Sequence, residues 1–106
     1  MSLPPEYLES LPDNFSRLAL RDFLAILRKS HEEFGAHTAR ETRDRLVRRF
    51  RQIERGERIG HEREDVQPKQ PTLFVNELPW VIAFDPKTCV IKRVLHGARS
   101  FPALFS

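Results

Sequence analysis

The chain has one cysteine, Cys89, and one tyrosine, Tyr7, among 106 residues. A lone cysteine excludes an internal disulfide and fits a reducing compartment, so the cytoplasm is the expected location. No apolar run approaches the roughly 20 residues that a membrane span needs, and no membrane association is expected. The opening stretch "MSLPPEYLESLPDNFS" lacks the basic start and apolar run of a secretory signal. Neither a phosphate-cradling glycine loop nor a Ser/His/Asp signature is present. His61, Cys89 and His96 do not have the spacing of a zinc site, so neither a metal nor a cofactor is expected. Internal repeats and low-complexity segments are also missing.

What is present describes a folded domain: 40% apolar and 31% charged residues. A chain of this length forms one domain and buries roughly two-thirds of its unfolded surface. The net charge is +3, nearly all the positive charge is arginine, and much of it crowds one segment. Arg40, Arg43, Arg45, Arg48, Arg49, Arg51, Arg55, Arg58 and Arg63 are diluted by Glu41, Asp44, Glu54, Glu57 and Glu62. Such a patch attracts nucleic acid or an acidic protein segment, and reads equally well as a solvated helix face.

Residues 1–13, with Pro4, Pro5 and Pro12, read as an N-terminal extension ahead of a domain spanning 14–106. "NFSRLAL" (14–20) fits either a short strand or the start of a helix. From Leu20 the apolar positions Leu20, Phe23, Leu24, Leu27 and Phe34 recur at three-to-four spacing, with Ile26 broadening the stripe, which predicts an amphipathic helix. Gly35 is a good stop. Thr38 and Glu41 have capping-box spacing for a second helix, which buries Ala39, Leu46, Val47, Phe50 and Ile53 and ends near Gly56. A short connection folds the two helices into a hairpin.

After "RGERIGHERED" the period changes. "TLFVNE" (72–77), "WVIAFDP" (80–86) and "CVIKRVLHG" (89–97) are short runs rich in β-formers, divided by Pro79 and by the turn Asp85-Pro86-Lys87-Thr88. They predict an antiparallel meander whose apolar face only the hairpin can cover. The expected fold is α+β: an N-terminal helical hairpin packed on a small antiparallel sheet of three to four strands.

In the last strand, alternation sends Lys92, Val94 and His96 one way and Cys89, Ile91, Arg93 and Leu95 the other, so each face carries a cation. A turn at Gly97 and the approach from "GHERED" are expected to gather Arg63, Arg93, His96 and Arg99 at one end of the sheet. Arginine forks suit a phosphate backbone or acidic side chains. Each residue also has a plainer role: His96 as a strand-end hydrogen-bonding group, Cys89 as a small core hydrophobe, and Glu62 and Glu64 as members of surface ion pairs.

"LALRDFLAIL", "FGAHTARETRDRLVRRFRQI", "GHERED" and "VIAFDP...VIKRVLHGARSFPALF" together resemble the RelE/ParE toxins of type II toxin–antitoxin systems, closest to the ParE-like, plasmid-stabilisation branch. The resemblance covers about residues 16–106. It implies a four-stranded sheet, with "NFSRLAL" as its first strand. It also implies a cytoplasmic toxin held by a cognate antitoxin in a hetero-oligomer, the antitoxin's segment covering sheet and helices. ParE-like toxins are associated with inhibition of DNA gyrase. The alternative is the ribosome-dependent mRNA endoribonuclease branch, the mRNA interferases. For that chemistry His61 and His96 would serve as acid and base, with Arg63 and Arg99 on the phosphate. Two departures weigh against it: the tail "SFPALFS" offers no tyrosine, and Ala83-Phe84 stands where the family often has one in its third strand.

Overall fold

The computed structural model of the chain describes residues 3–66 and 70–98. Three helical elements lead, a 3-10 turn η1 (Pro5–Leu8), α1 (Arg17–Phe34) and α2 (Ala36–Glu54), followed by strands β1 (Leu73–Glu77), β2 (Trp80–Phe84) and β3 (Ile91–His96). The strands form an antiparallel sheet in the order β1-β2-β3, and the helical hairpin packs on one face of it. This is the expected α+β arrangement. No helix among the described residues is long and apolar enough to cross a membrane.

The segment 14–20 is a helix start rather than a strand. Ser16 caps α1, its Oγ accepting from the Ala19 N–H at 3.0 Å, and the segment's strand-like pairing with the sheet is a single parallel bridge from Phe15 to Ile91. The sheet therefore has three strands among the described residues. The two helices are separated by Gly35 alone, whose φ of 88° turns the chain and serves as C-cap of one helix and N-cap of the next. This leaves no role for a capping box: Thr38 lies inside α2, and Glu41 pairs instead with His37 at 3.0 Å.

The main core joins Phe23, Leu27, Leu46, Phe50 and Ile53 of the helices to Val75, Ile82, Ile91 and Val94 of the sheet. Phe15, Phe23 and Phe50 form an aromatic trio, with edge-on contacts at 4.9 and 5.2 Å between centroids. The α1 stripe is rotated from the expected one. Ala19 and Ile26 are buried, Leu24 is half-buried, and Leu20 and Phe34 are 38% and 67% exposed. A second, smaller cluster of Val66, Phe74, Val81, Ala83 and Leu95 lies on the sheet's other face.

Residues 3–13 are built into this core. Tyr7 is fully buried, its hydroxyl 2.9 Å from His31 Nδ1, and Leu3 and Leu11 pack beside it.

Candidate functional site

The last strand resolves its conflict of cations with a bulge. Ala83 opposes Arg93, but Phe84 opposes Ile91, so Lys92 is an extra residue in the ladder. Ile91 and Val94 both face the helices, which leaves Lys92 and Arg93 together on the outer face. Strict alternation had placed Lys92 with Val94 and Ile91 with Arg93; the bulge reverses both. Lys92 Nζ donates to Thr72 Oγ1 at 2.7 Å.

Arg93 leans over the sheet's edge to Asp22 of α1. Its Nε and Nη2 donate to the two carboxylate oxygens at 2.8 and 3.0 Å, and the same carboxylate accepts from the Val94 N–H. These hydrogen bonds hold the guanidinium above its ordinary pKa, against the opposing effect of burial. Further along, the Ser16 N–H donates to the Ile91 carbonyl, and Ser16 Oγ to that of Lys92. The exposed edge of β3 is thus closed by the start of α1.

"GHERED" runs along the opposite edge. His61 exchanges backbone hydrogen bonds with Phe74 at 2.8 and 2.9 Å. Its neighbour Gly60 is required there, since a Cβ would stand 2.7 Å from the Phe84 ring and 2.8 Å from Leu73 Cβ. Arg63 grips Asp65 with two bonds of 2.9 and 3.0 Å and lies 5.8 Å from the centroid of the Phe74 ring. The bonds from Arg63 depress the Asp65 carboxyl below its ordinary value. Phe74, Ala83 and Arg93 share one row across the sheet. Arg63 and Arg93 therefore stand at the two ends of one outer-face row, with Lys92 beside Arg93. A cleft of about 450 Å³ opens by Arg63, between Val66, Phe74 and Thr72.

His96 does not join them. It pairs with Trp80, whose ring it meets edge-on at 5.6 Å, and Trp80 packs against the helix-side core. His96 Nδ1 accepts from the Ala98 N–H, so the neutral ring carries its hydrogen on Nε2. The histidine lines a different cleft, of about 650 Å³, between the helices and the end of the sheet, with Ile26, Phe34, Thr42, Pro79 and Trp80. Lys29, Glu33 and Arg45 rim it. The expected gathering of Arg63, Arg93 and His96 at one end of the sheet is thus split between two faces, because His96 lies an odd number of positions from Arg93. Arg99 lies outside the described residues.

The two histidines assigned to ribonuclease chemistry are also apart. His61 sits three strand spacings from β3, on the outer face, and His96 is three residues further along than the row they would share. At about 4.8 Å per strand and 3.3 Å per residue, their backbones are roughly 17 Å apart. An acid and a base must each come within roughly 3 Å of the same phosphodiester. Tyr7, the chain's one tyrosine, is buried in the hairpin.

The arginines of α2 are largely occupied by the protein itself. Arg45 and Arg49 donate to Glu77, at 3.1 and 3.0 Å, and Arg45 also to the Leu78 carbonyl. Arg40 meets Glu6, Arg43 the carbonyls of Tyr7 and Glu9, and Arg51 that of Ser10. The sequence alone presents this face as open to solvent or a partner, because an arginine's distant carbonyl partner leaves no local signal.

No match is found among curated proteins, and none among solved structures. The family described as ParE toxin of type II toxin-antitoxin system, parDE, matches residues 14–101, the stretch that holds the hairpin and the whole sheet. With that match over most of its length and a helical hairpin laid on an antiparallel meander, the chain belongs to the ParE toxin family and is a toxin of a type II toxin–antitoxin system, paired with an antitoxin.

Proposed function

We propose that this toxin acts by binding a macromolecular target, DNA gyrase, through the outer face of its sheet, and that it cleaves nothing. The observation that carries this reading is the separation of His61 and His96 onto opposite faces, which keeps the two from serving as acid and base on one phosphodiester. The binding residues are Arg63 and Arg93, with Lys92 added by the bulge; Arg99, a few residues beyond Arg93 in the chain, belongs to the same proposal on sequence alone. His96 serves the other cleft, where apolar walls and a mixed rim of Lys29, Glu33, Arg45 and His96 suit an antitoxin segment that buries apolar side chains and meets the rim with polar ones. In this reading the pair works in the cytoplasm and stabilises the replicon that encodes it.

Induced expression tests the choice. Cells that filament with DNA damage while translation continues support gyrase as the target. Cells that stop translating, with ribosome-bound mRNA cut, support the ribonuclease alternative instead.

A further inference from the structure

Residues 3–13 precede the family-matched segment and carry Glu6, Glu9 and Asp13 without a single cation. They lie against α2, a helix with six arginines. Three of those arginines are taken up by this strap: Arg40 by the Glu6 carboxylate, Arg43 by the carbonyls of Tyr7 and Glu9, and Arg51 by that of Ser10. The bonds from Glu6 raise the Arg40 guanidinium above its ordinary pKa. Leu3, Tyr7 and Leu11, spaced every four residues, are its apolar anchors. Only Tyr7 is fully buried, while Glu6, Leu8, Glu9 and Ser10 are exposed.

We infer that the strap is an intramolecular occupant of a peptide-binding face on α2, and that it withholds Arg40, Arg43 and Arg51 from acidic peptide segments of a partner. The chemistry favours a peptide over a nucleic acid. Two of the three arginines are satisfied through backbone carbonyls, which any extended peptide offers. The aromatic peg also needs a socket, and the hairpin supplies one, with His31 Nδ1 and the Ala36 carbonyl both within reach of the Tyr7 hydroxyl, at 2.9 and 3.4 Å. An acidic segment with one aromatic residue would meet the same groups once the strap lifts. The inference is independent of the choice between gyrase and ribosome.

The test uses a labelled synthetic peptide with the sequence of residues 1–13, titrated with three full-length chains: wild type, Tyr7→Ala, and Leu3→Ser/Leu11→Ser. A strap that is open in about 1–10% of molecules masks its face by roughly 10- to 100-fold. The variants should therefore bind the peptide tighter than wild type by that factor, and the gain should shrink as salt is added. If Tyr7→Ala loses its circular-dichroism signature, the double variant, which weakens the strap's two outer anchors and leaves the Tyr7 side chain unaltered, decides. Folded variants that bind the peptide no better than wild type overturn the inference. So does capture of a short DNA duplex in preference to the peptide.

Discussion

Asp22 and Arg93 face each other across the junction of α1 and the sheet's edge, carboxylate to guanidinium, at 2.8 and 3.0 Å. The carboxylate also takes the Val94 N–H, on the side of β3 where no strand pairs with it among the described residues. One side chain thus occupies the edge at Val94 and fixes a cation of the proposed binding face. Asp22→Ala should cost about 1–3 kcal/mol in denaturant unfolding, because it strands both a guanidinium and an edge N–H. Asp22→Asn, which can still accept from Val94, should lose less. Equal losses would mean that the backbone bond is irrelevant.

The hairpin-on-sheet core makes a second prediction. Leu46 and Phe50 are both fully buried in the main cluster. Leu46→Ala or Phe50→Ala should each cost on the order of 2–5 kcal/mol, read as a shift in urea midpoint. A loss below about 0.5 kcal/mol at both would contradict the packing.

A pH dependence follows from Glu77. Burial pushes its carboxyl up, but hydrogen bonds and charge from Arg49 and Arg45 outweigh this and hold it below the ordinary 4.5. A depressed folded-state pKa contributes stability that is fully present above the unfolded value and lost as pH falls through the folded one. Glu77→Gln should therefore be less stable than wild type at neutral pH, and the gap should narrow in urea melts below about pH 4. A gap that stays constant into acid would remove the arginine pair as its cause.

The fourth prediction concerns Gly60. Its neighbours leave no room for a methyl group, with the Phe84 ring and Leu73 Cβ both inside 3 Å of an added Cβ. Gly60→Ala should destabilise the chain by roughly 1–3 kcal/mol, as overpacked cores do. Thermal unfolding checks it, and an unchanged midpoint would show that "GHERED" lifts off the sheet at no cost.

Much of this fold was legible in the sequence. Three-to-four spacing marked Phe23, Leu27, Leu46, Phe50 and Ile53, and all five are in the core. Val75, Ile82, Ile91 and Val94 met them as the meander required. What was not legible came from tertiary geometry. The bulge at Lys92 has no glycine or proline to announce it, so a strict two-residue period placed Ile91 and Lys92 on the wrong faces. That same period, read correctly, separates His96 from Arg93, a consequence outweighed by the closeness of the motifs in the chain. Thr38 and Glu41 carried the letters of a capping box, but Gly35 had already begun α2. The partners of Arg43 and Arg51 are carbonyls of residues 34 to 41 positions away, which no local pattern encodes.

Supercoiling by purified gyrase separates a toxin that binds from one that cuts. Wild-type protein should inhibit supercoiling in titration. Lys92→Glu, a charge reversal on the outer face that leaves the Asp22–Arg93 pair intact, should weaken inhibition, and His96→Ala should leave it close to wild type. Full supercoiling at excess toxin, with ribosome-bound mRNA cut by the wild type and spared by His96→Ala, would show instead that the protein is a ribonuclease.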